Sequence, residues 1–344
     1  MATAFEVLSP GFLTTVQDRG RLTYRRIGMP TAGALDQYSF RIANMLVGNN
    51  PLAACLETTY IGPTLRVLCN TVIALTGALC DAAINGKPMA QWKAIKVHSG
   101  DIISIGQALN GVRSYLSVAC GIDVPLIMES RSTFIRGKIG GIEGRALKKG
   151  DEIGIFTSSD LEPCDSNAIP EPYKPTWSSD ITLRVILGPQ DNHFSENGLA
   201  TFFNSTYTIT EESDRMGYRL NGNGIAYVSW EAGQIISDPI PLGAVQIPPN
   251  GQPIITLMDA QTTGGYPKIA TICTADLSLI AQGKPGDKVH FTAIGNDEAV
   301  KSLREQEQKI SILGTMMKSH PQEDGQYFHV MVNGLPFDVW VKPE

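Results

Sequence analysis

Hydrophobic and polar residues alternate at a period of two in three stretches of the chain that each begin with Gly-Asp. The stretches are SGDIISIG (99–106), KGDEIGIF (149–156) and PGDKVHFT (285–292). Gly-Asp is typical of a turn, and alternation at this period indicates a strand with one buried face. The pattern therefore predicts three strands that start from the same kind of turn, as in a barrel or a sandwich.

Shorter apolar runs fill much of the remaining chain and are separated by Gly, Pro, Asn and Asp. Such spacing is typical of proteins built from many short strands. We therefore predict a mainly β fold. The runs are TLRVLC with TVIALTG (64–77), RSYLSVACG (113–121), ITLRVILG (181–188), GIAYVSW (224–230) and PIITLM (253–258).

Three segments have the features of helices. In LDQYSFRIANMLVGN (35–49), Asp36 is a candidate N-cap, apolar residues recur at helical spacing, and Gly48 is a candidate stop. A second helix is predicted in DNHFSENGLATFF (191–203). The third and longest is predicted in DEAVKSLREQEQKISILGTMMK (297–318). Few helices are thus expected among many strands.

The composition changes between Thr157 and Asp180, where Pro, Ser and acidic residues replace the apolar periodicity. We predict a linker here (157–180). It separates an N-terminal β-barrel lobe (1–156) from a C-terminal lobe (181–294). The remaining residues (295–344) are predicted to form a helix and a β-hairpin appendage, because Asn-Gly lies between two alternating runs.

Composition and charge argue against several classes of protein. The 344 residues carry a net charge of −6 and have a pI near 5.5, which argues against a nucleic-acid partner. No segment resembles a signal peptide or a membrane span, so a cytoplasmic protein with no membrane partner is expected. The six Cys and five His follow no disulfide or metal-site spacing, so free, mostly buried thiols and no metal are expected.

One candidate site lies in TTVQDRGRLTYRRIGMPTAGALD (14–36). It joins Gln17, Asp18, Arg19 and Arg21 to a helix start at Asp36. Arg side chains and the backbone amides of a helix start can bind carboxylate or phosphate groups. The alternative is that Asp18 and Arg19 pair within a turn and bind no ligand. No phosphate-loop pattern strengthens the first interpretation.

A second candidate is DAQTTGGYPKIA (259–270), which follows a predicted buried strand. Many polar residues between apolar runs favour a strand end that delivers side chains into a cleft, and the glycines would let a ligand approach the backbone. The alternative is a β-bulge at the glycine pair. With the preceding segment, the candidates are Gln246, Asp259, Gln261, Thr262, Gly264, Gly265, Tyr266 and Lys268.

Two further arginines are candidates for binding a charged group. Arg215 lies in SDRMGYRLNG (213–222), and Arg113 immediately precedes a predicted strand. A solvated, charged loop is the alternative for such segments. No GxSxG or Cys-His pattern marks a nucleophile. The residues thus favour a polar, glycine-lined pocket for a small amide, carboxylate or phosphate-bearing ligand.

Several blocks of sequence over about residues 5–294 resemble the biotin-dependent carboxyltransferase-like family. Members include the 5-oxoprolinase C subunit, the KipI antagonist KipA, the protein called allophanate hydrolase subunit 2 and the carboxyltransferase region of urea carboxylase. The resemblance implies two cyclophilin-like β-barrel lobes with a ligand cleft between them. The blocks are TTVQDRGR, GALDQYSFRIANMLVGN, LETTYIGPTL, ALTGA, RSYLSVACGIDVPLIMESRST, GGIEGRALKKGD, DRMGYRL, GAVQIPPNGQPI and DAQTTGGYPKIAT.

Within this family, the chain is most similar to the branch that holds the 5-oxoprolinase C component and the KipI antagonist. The resemblance implies ATP-dependent opening of 5-oxo-L-proline to L-glutamate. It implies a KipI-like B component and an A component of 5-oxoprolinase as partners, with ATP used through the complex. Substrate contacts are expected from Asp36, Arg113, Arg215 and most residues of the second candidate segment. Catalytic roles are expected for Gln17, Asp18, Arg19, Gln261 and Lys268.

Two other functions are compatible with the same resemblance. A carboxyltransferase acting on urea or a related amide would use biotin. A non-enzymatic protein of this type would instead antagonise a KipI-like inhibitor of a histidine kinase. The final stretch, YFHVMVNGLPFDVWVKPE, faintly resembles the first hairpin of a biotin carrier domain, but it has no biotinylation motif.

Overall fold

The structure is a computed structural model that describes residues 2–157, 167–318, 326–332 and 335–341. Strands dominate it, and the predicted mainly β fold is confirmed. The strands are β1 (Ala2–Ser9), β2 (Leu13–Gln17), β3 (Cys55–Thr59), β4 (Thr64–Val67), β5 (Thr71–Ile84), β6 (Lys87–Pro88), β7 (Ala94–Val97), β8 (Ile102–Val118), β9 (Glu152–Ile155), β10 (Asp180–Leu187), β11 (Tyr207–Ile209), β12 (Gly217–Asn221), β13 (Asp238–Pro239), β14 (Ala244–Gln246), β15 (Ile254–Thr256), β16 (Thr263–Gly264), β17 (Lys268–Ile272), β18 (Lys288–Ala293), β19 (Gln326–Val332) and β20 (Leu335–Val341).

Four α-helices accompany the described strands: α1 (Gln37–Leu46), α2 (Glu196–Asn204), α3 (Leu277–Ala281) and α4 (Asn296–Lys318). The predicted N-cap of α1 is confirmed, because Asp36 accepts a hydrogen bond from the Ser39 N–H. The second helix begins later than predicted, since Ser195 caps it. The short α3 was not predicted, because five residues are too few to show helical periodicity.

The two sheets differ in how they close. The C-terminal strands form a closed seven-stranded barrel in the order β10-β17-β14-β15-β12-β11-β18. The N-terminal strands form a nine-stranded half-barrel with the path β2-β3-β8-β4-β1-β9, from which β5, β6 and β7 branch. The expected two β-barrel lobes are therefore confirmed, the first as a half-barrel and the second as a closed barrel. The long β8 pairs with β3, β4 and β5 along its length, so the sheet branches there.

The three predicted Gly-Asp turns are confirmed, and they share one geometry. Gly100, Gly150 and Gly286 each have φ between 87° and 96°, a region that glycine adopts without steric cost. In each turn the following Asp carboxylate accepts a hydrogen bond from the backbone N–H three residues earlier, at 2.7–2.9 Å. One turn type thus starts β8, β9 and β18.

Helix α4 connects the two lobes. Its first half contacts the C-terminal lobe, where Arg184 Nη1 donates to Ser302 Oγ at 2.6 Å. Its second half contacts α1, where Arg41 and Glu307 form a two-pronged ion pair with N–O distances of 2.6 and 2.8 Å. Ile310 and other apolar residues of α4 join a buried cluster with α1. The predicted C-terminal helix is therefore part of the folded core.

The predicted chemical state of the thiols agrees with the structure where it is described. Cys55, Cys69, Cys80, Cys120 and Cys273 are free. Cys164 lies outside the described residues. No described helix is both long enough and apolar enough to cross a membrane.

Gln282 joins the two lobes through four hydrogen bonds from one buried side chain. Its Oε1 accepts from the backbone N–H groups of Val112 and Arg113, at 2.9 Å each. Its Nε2 donates to Asp36 Oδ2 at 2.8 Å and to the Arg113 carbonyl at 2.9 Å. Loss of this side chain would leave several polar groups buried without partners.

We expect Gln282→Met to lower the free energy of unfolding by about 2–4 kcal/mol, because methionine matches the size of glutamine but can satisfy none of these groups. Gln107→Met, at an exposed position of β8, is the matched control and should change that free energy by less than about 0.5 kcal/mol. Urea denaturation of both variants measures the difference. Equal stability of the two variants would contradict this role for Gln282.

Candidate functional site at the junction of the lobes

Arg215 lies at the centre of a buried ion-pair network between the two lobes. Its Nε and Nη2 donate to the two carboxylate oxygens of Asp259, at 3.1 Å each. Its Nη1 contacts Glu57 Oε1, and its Nη2 also donates to the Gly33 carbonyl at 2.6 Å. Gly33 and Glu57 belong to the N-terminal lobe, whereas Arg215 and Asp259 belong to the C-terminal lobe. One guanidinium group therefore fixes the lobes relative to each other.

Burial and charge act in opposite directions on the pKa values of this network. Burial alone would lower the pKa of Arg215, but the charges of Asp259 and Glu57 outweigh it and raise that pKa above the usual arginine value. Burial raises the pKa of Asp259, while Arg215 opposes that rise. Each buried charge is tolerated because the others neutralise it. Removal of one member would leave the rest without compensation.

Arg113, on β8, approaches the same network from the N-terminal lobe. Its Nη1 donates to the Tyr218 hydroxyl at 2.6 Å and contacts the Ala281 carbonyl. Its Nε lies 4.0 Å from Glu57 Oε1. Four predicted substrate contacts thus lie in the interface between the lobes and bind protein groups there: Asp36, Arg113, Arg215 and Asp259. Their contact with substrate stays a prediction.

Gln17 is buried at the end of β2, and its side-chain amide binds protein groups on both sides. Its Oε1 accepts from the Gly33 N–H at 3.0 Å. Its Nε2 donates to Thr15 Oγ1 at 2.9 Å and to the Thr133 carbonyl at 3.1 Å. Gln17 therefore holds the Gly33 loop, whose carbonyl binds Arg215.

Asp18 has a fully hydrogen-bonded carboxylate. Four hydrogen bonds to this carboxylate link the Gly20 turn to residues 130–132. The catalytic role expected of Asp18 stays a prediction. The four donors, at 2.5–2.8 Å, are the backbone N–H groups of Gly20 and Arg131 and the hydroxyls of Ser130 and Ser132.

The two arginines of the QDRGR motif have different environments. Arg19, predicted to be catalytic, is exposed, whereas Arg21 is 1% exposed. Arg21 Nε donates to the Ile127 carbonyl at 3.1 Å, and its Nη2 donates to the Ser132 carbonyl at 2.7 Å. The motif alone could not separate the two residues, because burial depends on segments more than 100 positions away.

Lys268 is a buried cation with an accessible counter-ion. It is 1% exposed, and its Nζ lies 3.0 Å from Oδ2 of Asp238, whose side chain is 41% exposed. The two atoms form an ion pair but lack hydrogen-bond geometry. Lys268, and to a smaller extent Gln190, lowers the pKa of Asp238. An anionic ligand group could therefore replace Asp238 as the counter-ion of Lys268.

A β-bulge lies beside Lys268 rather than at the glycine pair. Gln246 pairs with Lys268 and Val245 pairs with Ala270, so Ile269 is the extra residue on β17. Bulges re-aim neighbouring side chains and are common next to active sites. The bulge that the alternative interpretation placed at Gly264 and Gly265 therefore lies at Ile269 instead.

The first glycine of the pair, Gly264, belongs to a short strand pair, β13 with β16, in which it lies opposite Asp238. A Cβ on Gly264 would lie 2.6 Å from Ile240 Cδ1 and 3.1 Å from Gln246 Nε2. A larger residue here would therefore push aside the ends of the Ile240 and Gln246 side chains. The neighbouring candidates are partly or largely exposed: Gln261, Thr262, Gly265 and Tyr266.

Arg25 connects the two candidate segments. Its Nη1 donates to Thr31 Oγ1 at 3.1 Å, and its Nη2 contacts the Ile240 carbonyl. Nearby, the Ala32 N–H donates to the Met258 carbonyl at 2.8 Å. The structure thus brings residues 17–33 and 238–268 to one junction, as expected from the resemblance. At this junction, the two segments form a charged, largely buried site at the interface between the lobes.

Glu57 and Asp238 were not among the predicted site residues. Glu57 lies in β3, all five residues of which are buried, and it accepts from the Tyr115 hydroxyl at 2.8 Å. An acidic residue inside such a strand is a signal that sequence analysis could have used. Asp238 gave no comparable signal, because its position opposite Gly264 depends on long-range pairing.

Cavities elsewhere do not contain the predicted residues. Cavities of about 260 Å³ and 670 Å³ lie against α4, and one of about 560 Å³ lies beside residues 171–177. The first and third are lined in part by Trp177, the second by Arg41 and Glu307. The candidate site is therefore defined by its buried charges and not by cavity size.

Comparison with known proteins gives consistent matches. The family model "Carboxyltransferase domain, subdomain A and B" matches residues 27–293. The chain is 38% identical over 302 residues to the 5-oxoprolinase C subunit of Escherichia coli, covering 88% of this chain and 95% of that protein. It is 36% identical over 328 residues to the urea amidolyase of Lachancea kluyveri, covering 90% of this chain and 18% of that protein.

A solved structure supports the same relationship. The chain superimposes on the crystal structure of the K. lactis urea amidolyase with a TM-score of 0.86 at 36% identity, covering 90% of this chain and 20% of that one. The chain therefore spans about a fifth of the length of the urea amidolyases it matches, but nearly all of the bacterial protein.

Proposed function

The chain belongs to the carboxyltransferase domain family with subdomains A and B, and we propose that it is the C component of an ATP-dependent 5-oxoprolinase. The observation that carries this proposal is the match to nearly the full length of a protein of that name. A second protein of the same name, from Haemophilus influenzae, is 34% identical with the same coverage.

The proposed reaction needs ATP because an unstrained lactam is a poor electrophile. Transfer of a phosphoryl group to the lactam oxygen of 5-oxo-L-proline creates a leaving group, and water then attacks the activated carbon. The C–N bond breaks, the ring opens, and phosphate leaves. One 5-oxoproline, one ATP and two waters give one L-glutamate, one ADP and one phosphate. Preorganised cations stabilise the negative charge that develops on oxygen.

The junction supplies groups suited to this chemistry. Lys268 is a buried cation that can stabilise the developing charge once Asp238 is displaced. Gln261 and Thr262, which immediately precede β16 and are accessible, can orient the amide. Buried Gln17 acts indirectly, since it holds Gly33 against Arg215. We propose these roles on the basis of burial, charge and position.

Partners are part of this proposal. The names of the bacterial relatives describe them as subunits, which implies a multi-subunit complex. We propose the A and B components of 5-oxoprolinase as the partners. The chain has no phosphate-loop pattern, so we propose that ATP acts through the complex. We also propose a cytoplasmic location, where ATP is abundant.

A biotin-dependent carboxyltransferase is the second candidate function. The TM-score of 0.86 to a urea amidolyase supports it, because the same lobes could bind a biotinylated carrier and urea or a related amide. This alternative predicts that free biotin or a biotinylated carrier binds at the junction and that 5-oxoproline does not.

Phosphate release by the chain mixed with the A and B components tests the proposal. We expect ATP hydrolysis to rise at least about tenfold with 5-oxo-L-proline and to remain at the basal rate with urea and bicarbonate. Omission of this chain should abolish the stimulation. Stimulation by urea with a biotinylated carrier would favour the second candidate. Complex formation without any substrate-dependent turnover would favour a regulatory antagonist.

A further inference from the structure

Arg21 has a buried N–H group that the fold does not use. Of its three guanidinium nitrogens, Nε and Nη2 donate to the carbonyls of Ile127 and Ser132. Nη1 has no hydrogen-bond partner within the described part of the chain. Because Arg21 is 1% exposed, water does not readily supply one. A buried donor without an acceptor is rare in native proteins and calls for an explanation.

The nearby carboxylates do not provide the missing acceptor. Burial lowers the pKa of Arg21, and the nearby charges of Asp18 and Asp259 oppose that shift. However, Asp18 already accepts four hydrogen bonds from other groups. Asp259 is engaged on both oxygens by Arg215. The guanidinium is thus electrostatically supported but retains binding capacity.

The chain is built to hold this guanidinium in place. Gly140 has φ of +71°, and a Cβ there would lie 2.4 Å from Arg21 Nη2 and 2.0 Å from the Ser132 carbonyl oxygen. Any larger residue would therefore displace Arg21 from Ser132. The two fixed hydrogen bonds leave Nη1 in a defined position, as a binding group requires.

The residues that immediately follow Arg21 lie at the surface of the protein. The 3-10 helix Leu22–Ile27 has no buried residues. It ends at Gly28, which has φ of +89° and open space around it. Arg25 ties this segment to the Ile240 carbonyl of the other lobe. For a ligand to reach the buried Nη1, the surrounding chain would have to rearrange, and this turn is the exposed segment next to Arg21 in sequence.

We propose that Arg21 is a specificity-determining residue that binds the carboxylate of the substrate through Nη1. Guanidinium groups bind carboxylates with matching geometry. This inference rests on the proposed function, because 5-oxo-L-proline is a lactam that carries one carboxylate. Lys268 then remains for the lactam oxygen, and the two cations have separate tasks.

The test compares two ligands that differ only in the carboxylate. Binding of 5-oxo-L-proline and of 2-pyrrolidinone, the same ring without a carboxylate, is measured by calorimetry on the assembled complex. We expect Arg21→Met to weaken 5-oxoproline binding by about 10- to 100-fold and to change 2-pyrrolidinone binding by less than about threefold. Arg21→Lys keeps the charge and should recover part of the loss. Arg66→Met, at an exposed position of β4 in the same lobe, is the matched control and should alter neither affinity.

Three results would overturn the inference. If Arg21→Met binds 5-oxoproline as well as the natural chain does, Arg21 is not the carboxylate site, although the proposed function stands. If both ligands are weakened equally in Arg21→Met and Arg21→Lys, the residue has only a structural role. If the complex with the natural chain binds neither ligand, the proposed function and this inference fail together.

Discussion

Replacement of Arg215 by methionine is expected to lower the free energy of unfolding by about 3–5 kcal/mol, because Asp259 and Glu57 would keep buried negative charges without a cation. The same change removes the only guanidinium that, within the described residues, bonds Asp259, Glu57 and Gly33 together. Urea denaturation followed by circular dichroism measures the effect.

Arg219→Met is the matched control for this prediction. Arg219 lies on β12, shortly after Arg215 in sequence, but its side chain is 54% exposed and lies 3.6 Å from an exposed glutamate. Surface ion pairs contribute about 0–1 kcal/mol, so this variant should remain close to the natural chain. A loss in Arg215→Met no larger than in Arg219→Met would contradict the role assigned to the network.

The stability deficit of Arg215→Met should depend on pH. Burial already raises the pKa of Asp259, and removal of Arg215 would raise it further. A carboxyl group whose pKa is higher in the folded than in the unfolded chain stabilises the fold below its unfolded pKa, and that contribution is lost as pH rises through the folded pKa. The deficit should therefore be smaller near pH 5 than near pH 8.

Lys268→Met is expected to reduce the turnover number of the assembled complex by about 100-fold or more, because the buried cation that stabilises negative charge on the substrate is lost. Folding should be affected little, since the methionine replaces a buried charge that has no hydrogen bond. The measurement is 5-oxoproline-dependent phosphate release at saturating substrate, together with urea denaturation.

Lys288→Met provides the control, because Lys288 is an exposed lysine of the same barrel whose Nζ donates to Thr208. Its turnover should stay within about twofold of the natural value. If Lys268→Met also stays within that range while remaining folded, Lys268 takes no part in the reaction.

Local patterns were sufficient to predict much of the fold. The three Gly-Asp turns are visible in sequence because glycine conformation and Asp side-chain bonding are determined within four residues. The N-cap of α1 at Asp36 is equally local. By contrast, the branching of the N-terminal sheet depends on where the 17-residue β8 meets three other strands. Periodicity contains no information on such pairing.

The candidate site shows the same division. Sequence analysis named Arg215 and Asp259 as candidates in two separate segments, and their pairing across 44 positions is a property of the folded chain. It could not separate Arg21 from Arg19, since only the packing of Ile127 and Ser132 buries one of them. Segments rich in polar residues therefore indicate where the lobes meet. Which of their side chains remain available to a ligand depends on burial in the folded chain.

The most direct test of the proposed function is the formation of L-glutamate from 5-oxo-L-proline. The A and B components would be assayed with ATP, with and without this chain, and glutamate and ADP would be quantified together. We predict one glutamate per ADP in the complete mixture and none when this chain is omitted. Glutamate formation at the same rate without the chain, or none in the complete and assembled complex, would contradict its assignment as the C component.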